Sequence, residues 1–284
     1  MKYLSLLLLL CFNASAEVEA IYGEDSRMDV YAVTNPLFVN LAKTTAAMIE
    51  RSKIKTDGSV SLISGKPLAE MFKLCPAERF RNQPSAANCS GTLVAPDVIM
   101  TAGHCYDLAK QMCKDYVWVF DYKVSKENQS SVTVPSSNVY ECDSVLLKEM
   151  KLETGMDHAL IKLKRPVTDR VHATLRSSGT VKVNDPLVLI GHPSGLPTKI
   201  AADAFVVKVL KNSFTSNVDA FSINSGSGVF NALTGEVEGI LSSGQQDYDG
   251  AGNCTSLKYY EMEEGKETVV NVEAVRKFLE KGAE

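Results

Sequence analysis

From residue 59 to about residue 243 the chain is a succession of short runs rich in Val, Ile, Leu, Phe and Tyr, separated by turn-forming clusters and without helical periodicity between them. This pattern limits the fold more than any other feature. Runs at 91–94, 98–101, 116–122, 159–163, 187–190, 204–210, 228–231 and 237–241 have strand length, and Ala95-Pro96-Asp97, Asn184-Asp185-Pro186 and Thr234-Gly235 supply turns. Many short strands with no helices between them close into a barrel or a sandwich. Helices are expected only at the margins. Within 36–53, Leu37, Leu41, Ala42, Met48 and Ile49 recur at roughly helical spacing. Near the end, Asn271 can cap a helix reaching Lys281, with Val272, Val275, Phe278 and Leu279 on one face. No repeat or low-complexity block is present, which excludes solenoids and collagen-like arrays.

Lys2, the apolar run 4–12 and Ala14-Ser15-Ala16 read as a secretory signal over residues 1–16, so the mature chain is expected to begin at Glu17. A run of that length falls far short of the ~20 apolar residues needed to cross a bilayer, and no stable membrane insertion is expected after cleavage. A lipid anchor on Cys11 is the competing reading, although Leu10 stands where a lipoprotein signal carries a small residue. Cys75, Cys89, Cys105, Cys113, Cys142 and Cys254 remain, and in an exported chain an even set of cysteines reads as disulfides whose pairing spacing alone leaves open. The absence of a C-x-x-C pair leaves a structural zinc site without support. A formal charge of -4, with no long run of like charges, supplies no basic field for nucleic acid. A secreted or periplasmic location follows from the signal.

Three motifs carry chemistry: Thr101-Ala102-Gly103-His104-Cys105, Met156-Asp157-His158-Ala159-Leu160-Ile161 and Asn224-Ser225-Gly226-Ser227-Gly228. A serine hydroxyl is a weak nucleophile until an imidazole takes its proton, and the imidazole needs a carboxylate to fix its tautomer and stabilise its charge. His104, Asp157 and Ser225 supply these three groups. Each also has an ordinary explanation: a histidine packed beside a cysteine, an aspartate at a strand end, and a serine in a turn. Their order is the discriminating feature. All four histidines precede Ser225, and neither Ser225 nor Ser194 sits in G-x-S-x-G, which excludes the α/β-hydrolase arrangement. His158 should face away from Asp157 on an extended strand, and His172 and His192, beside turns, read as structural.

With these motifs the chain resembles the trypsin-like, chymotrypsin-fold serine proteases, in the style of bacterial secreted forms related to the glutamyl endopeptidases. Cys89-Ser90-Gly91-Thr92-Leu93 and Tyr22-Gly23-Glu24-Asp25-Ser26-Arg27 add to the resemblance, which covers most of the chain. It implies an all-β fold of two six-stranded antiparallel β-barrels with a C-terminal helix. Residues 17–58 would form an N-terminal segment, with room for a short pro-segment, and residues 59–284 the peptidase domain. Barrel one would span about 59–166, barrel two about 167–270 and the helix about 271–281.

The same resemblance implies an endopeptidase in which His104 is the general base, Asp157 its orienting carboxylate and Ser225 the nucleophile. The oxyanion donors would be the backbone N–H groups of Ser225 and Ile223, the latter where the family prefers glycine. A silent, binding-only homologue is the alternative that Ile223 raises. Asp219 falls at the floor of the specificity pocket or, equally, on a solvated loop, and Ser242-Ser243-Gly244 on the segment that pairs with substrate backbone. Asn224, uncharged, stands where trypsin-type zymogens place the aspartate that receives a new N-terminus, so that switch is not expected. Leu241 stands where glutamyl endopeptidases place a histidine. Cys89 and Cys105 are implied to be bonded across neighbouring strands, with Cys113–Cys142 and Cys75–Cys254 as the accompanying pairs. No metal or organic cofactor is implied; the partner is a protein or peptide substrate.

Overall fold

A computed structural model describes residues 20–108, 112–250 and 252–281. The expected signal at 1–16 and the expected start at Glu17 lie outside the described residues. Two closed six-stranded antiparallel barrels make up the molecule. Barrel one consists of β1 (Thr45–Glu50), β2 (Ala87–Ala95), β3 (Val98–Thr101), β4 (Tyr116–Phe120), β5 (Val139–Lys151) and β6 (Met156–Leu163), closed in the order β4-β5-β6-β3-β2-β1. Barrel two consists of β7 (Pro186–Gly191), β8 (Lys199–Val209), β9 (Ser213–Ser216), β10 (Gly228–Asn231), β11 (Val237–Ser243) and β12 (Glu267–Asn271), in the order β7-β10-β11-β12-β9-β8 with β8 returning to β7. An additional strand, Arg27–Asp29, extends the sheet by pairing with the start of β8.

Several barrel strands, β1, β3, β7 and β10 among them, bury both faces, which is why they read as continuous apolar runs. Along β7, Leu187 and Leu189 enter the core of barrel two, while Val188 and Ile190 join the larger core shared with barrel one. The period-2 alternation divides one strand between two apolar environments. The same division corrects the expected helix over 36–53. Only Pro36–Ala42 is α-helical (α1), with Asn35 Oδ1 accepting from Leu37 N at 3.0 Å. Residues 45–50 are strand β1, with Ala46 and Met48 on one face and Ala47 and Ile49 on the other. Short apolar runs fit either period, and barrel closure decides this one. Barrel one thus takes a strand, Thr45–Glu50, from ahead of residue 59.

The C-terminal helix runs over Glu273–Lys281, and Asn271 Oδ1 accepts from Glu273 N at 3.2 Å. Val275 is fully buried, and Phe278 and Leu279 pack on the shared core. The cysteines pair as Cys75–Cys254, Cys89–Cys105 and Cys113–Cys142. The first of these belongs to an insertion between barrel-one strands that carries a short helix, Leu68–Phe72, and reaches across to barrel two. There Cys75 N donates to Thr255 O at 2.9 Å, and the Phe72 ring stacks on Tyr248 with centroids 4.8 Å apart.

Gly91, on β2, faces the centre of barrel one. A Cβ there would stand 2.5 Å from Ile99 Cγ2 and 2.7 Å from Trp118 Cζ3, both side chains being fully buried. Gly91→Ala should therefore lower the unfolding free energy by about 1–3 kcal/mol, the usual cost of overpacking a dense core. The midpoint of urea unfolding should fall without a change in slope, and an unchanged midpoint would show that the barrel yields at this point.

Candidate active site

Strand β3 ends at Thr101 and the chain turns into helix Gly103–Leu108, whose second residue is His104. Strand β6 pairs with β3 through Ala159 and Thr101, which sets Asp157 beside that turn. The approach is close: a Cβ at Gly103 would lie 2.6 Å from Glu149 O and 2.9 Å from Asp157 Oδ1. His104 N donates to Asp157 Oδ1 at 2.8 Å, and His104 Nδ1 lies 2.6 Å from Asp157 Oδ2. Ser242 Oγ donates to the same Oδ2 at 2.6 Å, a contact that the sequence reading, which assigned Ser242 to substrate backbone, did not include. Burial alone would raise the Asp157 carboxyl. The hydrogen bonds and charge of His104, with Ser242, outweigh burial and hold it below the ordinary carboxylate range.

Ser225 comes to this place from barrel two. Ser90 N donates to Ser225 O at 2.8 Å, and Gly226 N donates to Leu241 O at 2.8 Å. Ser90 is also held by its own strand partner, since Thr101 Oγ1 donates to Ser90 O at 2.7 Å, and its Oγ accepts from His192 N at 3.0 Å. Cys105 Sγ lies 3.6 Å from Ser225 O, next to His104 in sequence. Gly226 takes φ +85°, and a Cβ on it would stand 2.2 Å from Ser90 O. Only glycine fits both the angle and the approach. His104, Asp157 and Ser225 are all at least nine-tenths buried.

Ile223 adopts φ +75°, a left-handed conformation that is a genuine outlier for a β-branched residue. Asn224 N donates to Phe221 O at 2.9 Å, closing a reverse turn with Ile223 at its third position, where such turns call for glycine. Ser222 O accepts from Ser194 N at 2.7 Å. Because the peptide is planar and trans, the N–H of Ile223 points away from Ser194. Asn224 Oδ1 accepts from Ser227 Oγ at 2.7 Å.

Asp219 is neither solvated nor idle. Its Oδ1 accepts from Tyr22 N at 2.8 Å, and its Oδ2 from Ser26 N at 2.7 Å and Ser26 Oγ at 2.6 Å, so it anchors the segment after Ile21 to barrel two. Its burial overturns the solvated-acid reading. Two further acids, unmarked by any motif, lie buried nearby. Glu267 Oε1 accepts from Tyr22 OH at 2.8 Å and Gln245 N at 3.1 Å, and a Cβ on Gly244 would coincide with its carboxylate. Gly244 is thus required by Glu267. Asp247 Oδ2 accepts from Ser222 N at 2.9 Å and from Ser222 Oγ.

The remaining histidines have other surroundings. His158 is buried opposite Glu149, and burial lowers its pKa. His192 is fully buried, with Nδ1 3.1 Å from Leu196 O, and burial pushes it down to about 3, so it is neutral. His172 Nδ1 lies 3.2 Å from Ala173 O. Leu241 is buried in the core of barrel two. Cys89, His104 and Cys105 bring donor atoms together, but the two sulfurs are bonded to each other and offer no thiolate to a metal.

Burial pushes Asp219 up to about 6 against the hydrogen bonds of Ser26 and Tyr22. The folded protein therefore keeps this proton where the unfolded chain has released it, and the contribution of Asp219 to stability falls as pH rises from about 4 to about 6. The loss amounts to about 3 kcal/mol. The stability advantage of the wild type over Asp219→Asn in urea should accordingly shrink between pH 4 and pH 7, whereas a constant difference would mean that Asp219 is already ionised at pH 4.

Comparison with known proteins agrees with this architecture. Residues 89–240, just over half of the chain, match the family model described as the trypsin-like peptidase domain. Snake venom serine protease Dav-X of Deinagkistrodon acutus is 28% identical over 93 residues, and the match spans 33% of this chain and 33% of that protein. Among solved structures, a Glu endopeptidase in complex with MPD superposes with a TM-score of 0.53 at 16% identity, over 93% of this chain and 99% of the other. The Vibrio cholerae VesB protease superposes with a TM-score of 0.52 at 14% identity, over 85% of this chain and 64% of the other. At such identities the structural likeness speaks for the fold, and the matched domain supplies the family: the chain belongs to the trypsin-like peptidases.

Proposed function

We infer that the protein is an exported serine endopeptidase that cleaves peptide bonds through an acyl-enzyme. The observation that carries this reading is the 2.6 Å contact between His104 Nδ1 and Asp157 Oδ2, seated where the backbone of Ser225 is bound to strand β2. An ionised Asp157 accepting from Nδ1–H fixes the imidazole tautomer and leaves Nε2 as the basic nitrogen. Nε2 would take the Ser225 proton during attack on the scissile carbonyl, return it to the leaving amine, and then activate the water that releases the acid. The N–H groups of Ser225 and Ile223 would stabilise the tetrahedral oxyanion.

Substrate backbone would add to the Ser242-Ser243-Gly244 segment by strand pairing. Three disulfides suit an oxidising compartment, and among the described residues no helix is long and apolar enough to cross a membrane. The signal read at residues 1–16 accords with export.

Labelling with a fluorophosphonate tests the nucleophile. Wild type should be modified at Ser225 and Ser225→Ala should not; folded wild type that resists modification would favour the silent, binding-only homologue instead. Asp157→Asn should keep the fold and lower kcat about 10⁴-fold, because an amide cannot hold the required tautomer. A loss of less than tenfold, measured on any peptide the wild type cleaves, would remove Asp157 from the mechanism.

A further inference from the structure

We propose that Asp247, with Ser194 and Tyr248, is a positioning clamp that holds the Ser222–Ile223 peptide in the orientation an oxyanion donor needs, and so allows isoleucine to stand where the turn favours glycine. The inference rests on the reading of Ser225 as nucleophile and extends it to residues that do not touch substrate.

Ile223 sits at φ +75°. An L-residue prefers the right-handed region there by a factor of about 5 to 30, so an unrestrained turn with isoleucine would relax, and relaxation rotates the preceding peptide. Such strain persists only when the surroundings over-determine it. Here they do, from both ends of Ser222. Asp247 Oδ2 receives Ser222 N at 2.9 Å and also Ser222 Oγ, which fixes the residue before the strained one. Ser194 N donates to Ser222 O at 2.7 Å, which fixes the carbonyl of the peptide itself and with it the direction of the Ile223 N–H.

Ser194 is a left-handed residue too, at φ +51°, and is held by the 2.6 Å hydrogen bond between its Oγ and Tyr248 OH. Tyr248 follows Asp247 directly, and its ring packs on both Phe72 and Phe221. Phe221 in turn lies under the Arg27 guanidinium, 3.9 Å from the ring centroid. One dipeptide, Asp247-Tyr248, thus secures the peptide through two separate routes. Its own position is set by the insertion that carries Phe72 and by the Cys75–Cys254 bond.

A double-mutant cycle between positions 247 and 223 is the test. Asp247→Ala should lower kcat about 10- to 100-fold, less than the ~10²- to 10³-fold loss of a whole oxyanion donor, with KM within about twofold. Asp247→Asn keeps an acceptor for Ser222 N–H and should recover most of the rate. In the Ile223→Gly background, where a left-handed φ carries no penalty, Asp247→Ala should cost less than about threefold. Tyr248→Phe, which keeps the stacking and loses only the bond to Ser194, should show a smaller fall in kcat with the same dependence on position 223.

Equal losses in both backgrounds, or an effect on KM alone, would overturn the clamp. The same cycle read by urea unfolding needs no activity. The gain in folding equilibrium constant from Ile223→Gly should be about 5- to 30-fold larger with Asp247 present than with alanine there, and additivity would overturn the proposal. If the wild type neither labels nor turns over, the catalytic reading fails while the unfolding cycle still decides the clamp.

Discussion

Ser90 is the point at which the two barrels are registered against each other. Its N–H holds the carbonyl of Ser225, its hydroxyl receives the N–H of His192, and its own carbonyl is bound by Thr101 from the neighbouring strand. The residue before it is disulfide-bonded to Cys105, which follows His104. A single buried strand position therefore ties the residues around His104 and those around Ser225 to one backbone. Hydrogen bonds at so buried a place gain from low dielectric and are costly to break, because each partner would be left unsatisfied.

The sequence made the barrel pattern and the three motifs legible because both are local. His104, Asp157 and Ser225 each stand within a few residues of the strand or turn that orients them, and each short Val/Ile-rich run overlaps a strand the structure contains. Residues 45–50 misled because a strand buried on both faces lacks the polar alternation that separates strand from helix, and nothing nearby reports that β1 must close a barrel. Asp219 was readable as a pocket acid or a surface acid and is occupied by Tyr22 and Ser26, nearly two hundred positions away. Asp247, Tyr248 and Ser194 carried no signal at all. They lie in short segments without periodicity, and what they do is visible only once Ser222 is brought between them.

Around the proposed site the chain keeps three acids away from water: Asp219, Asp247 and Glu267. Burial raises all three, to about 6 for Asp219, to about 8 for Asp247, and well above the ordinary value for Glu267, with the mutual repulsion of the acids adding to burial for Glu267. Asp157, equally hidden, goes the other way because His104 and Ser242 donate to it. The contrast separates a carboxyl kept ionised beside an imidazole from carboxyls that serve as acceptors for backbone and hydroxyl groups and tolerate a proton. Burial raises every one of these carboxyls, and only at Asp157 do the donors and the imidazole facing it outweigh that effect.

The Cys75–Cys254 bond closes a loop over a sequence separation of 179 residues, and that loop contains His104, Asp157 and Ser225. A single break in the backbone anywhere between those two cysteines leaves the two pieces joined covalently. Strands of both barrels lie between the two cysteines, and their ladders add hydrogen bonds to that covalent link. One cut between these cysteines therefore converts the chain into a two-chain molecule rather than into two fragments.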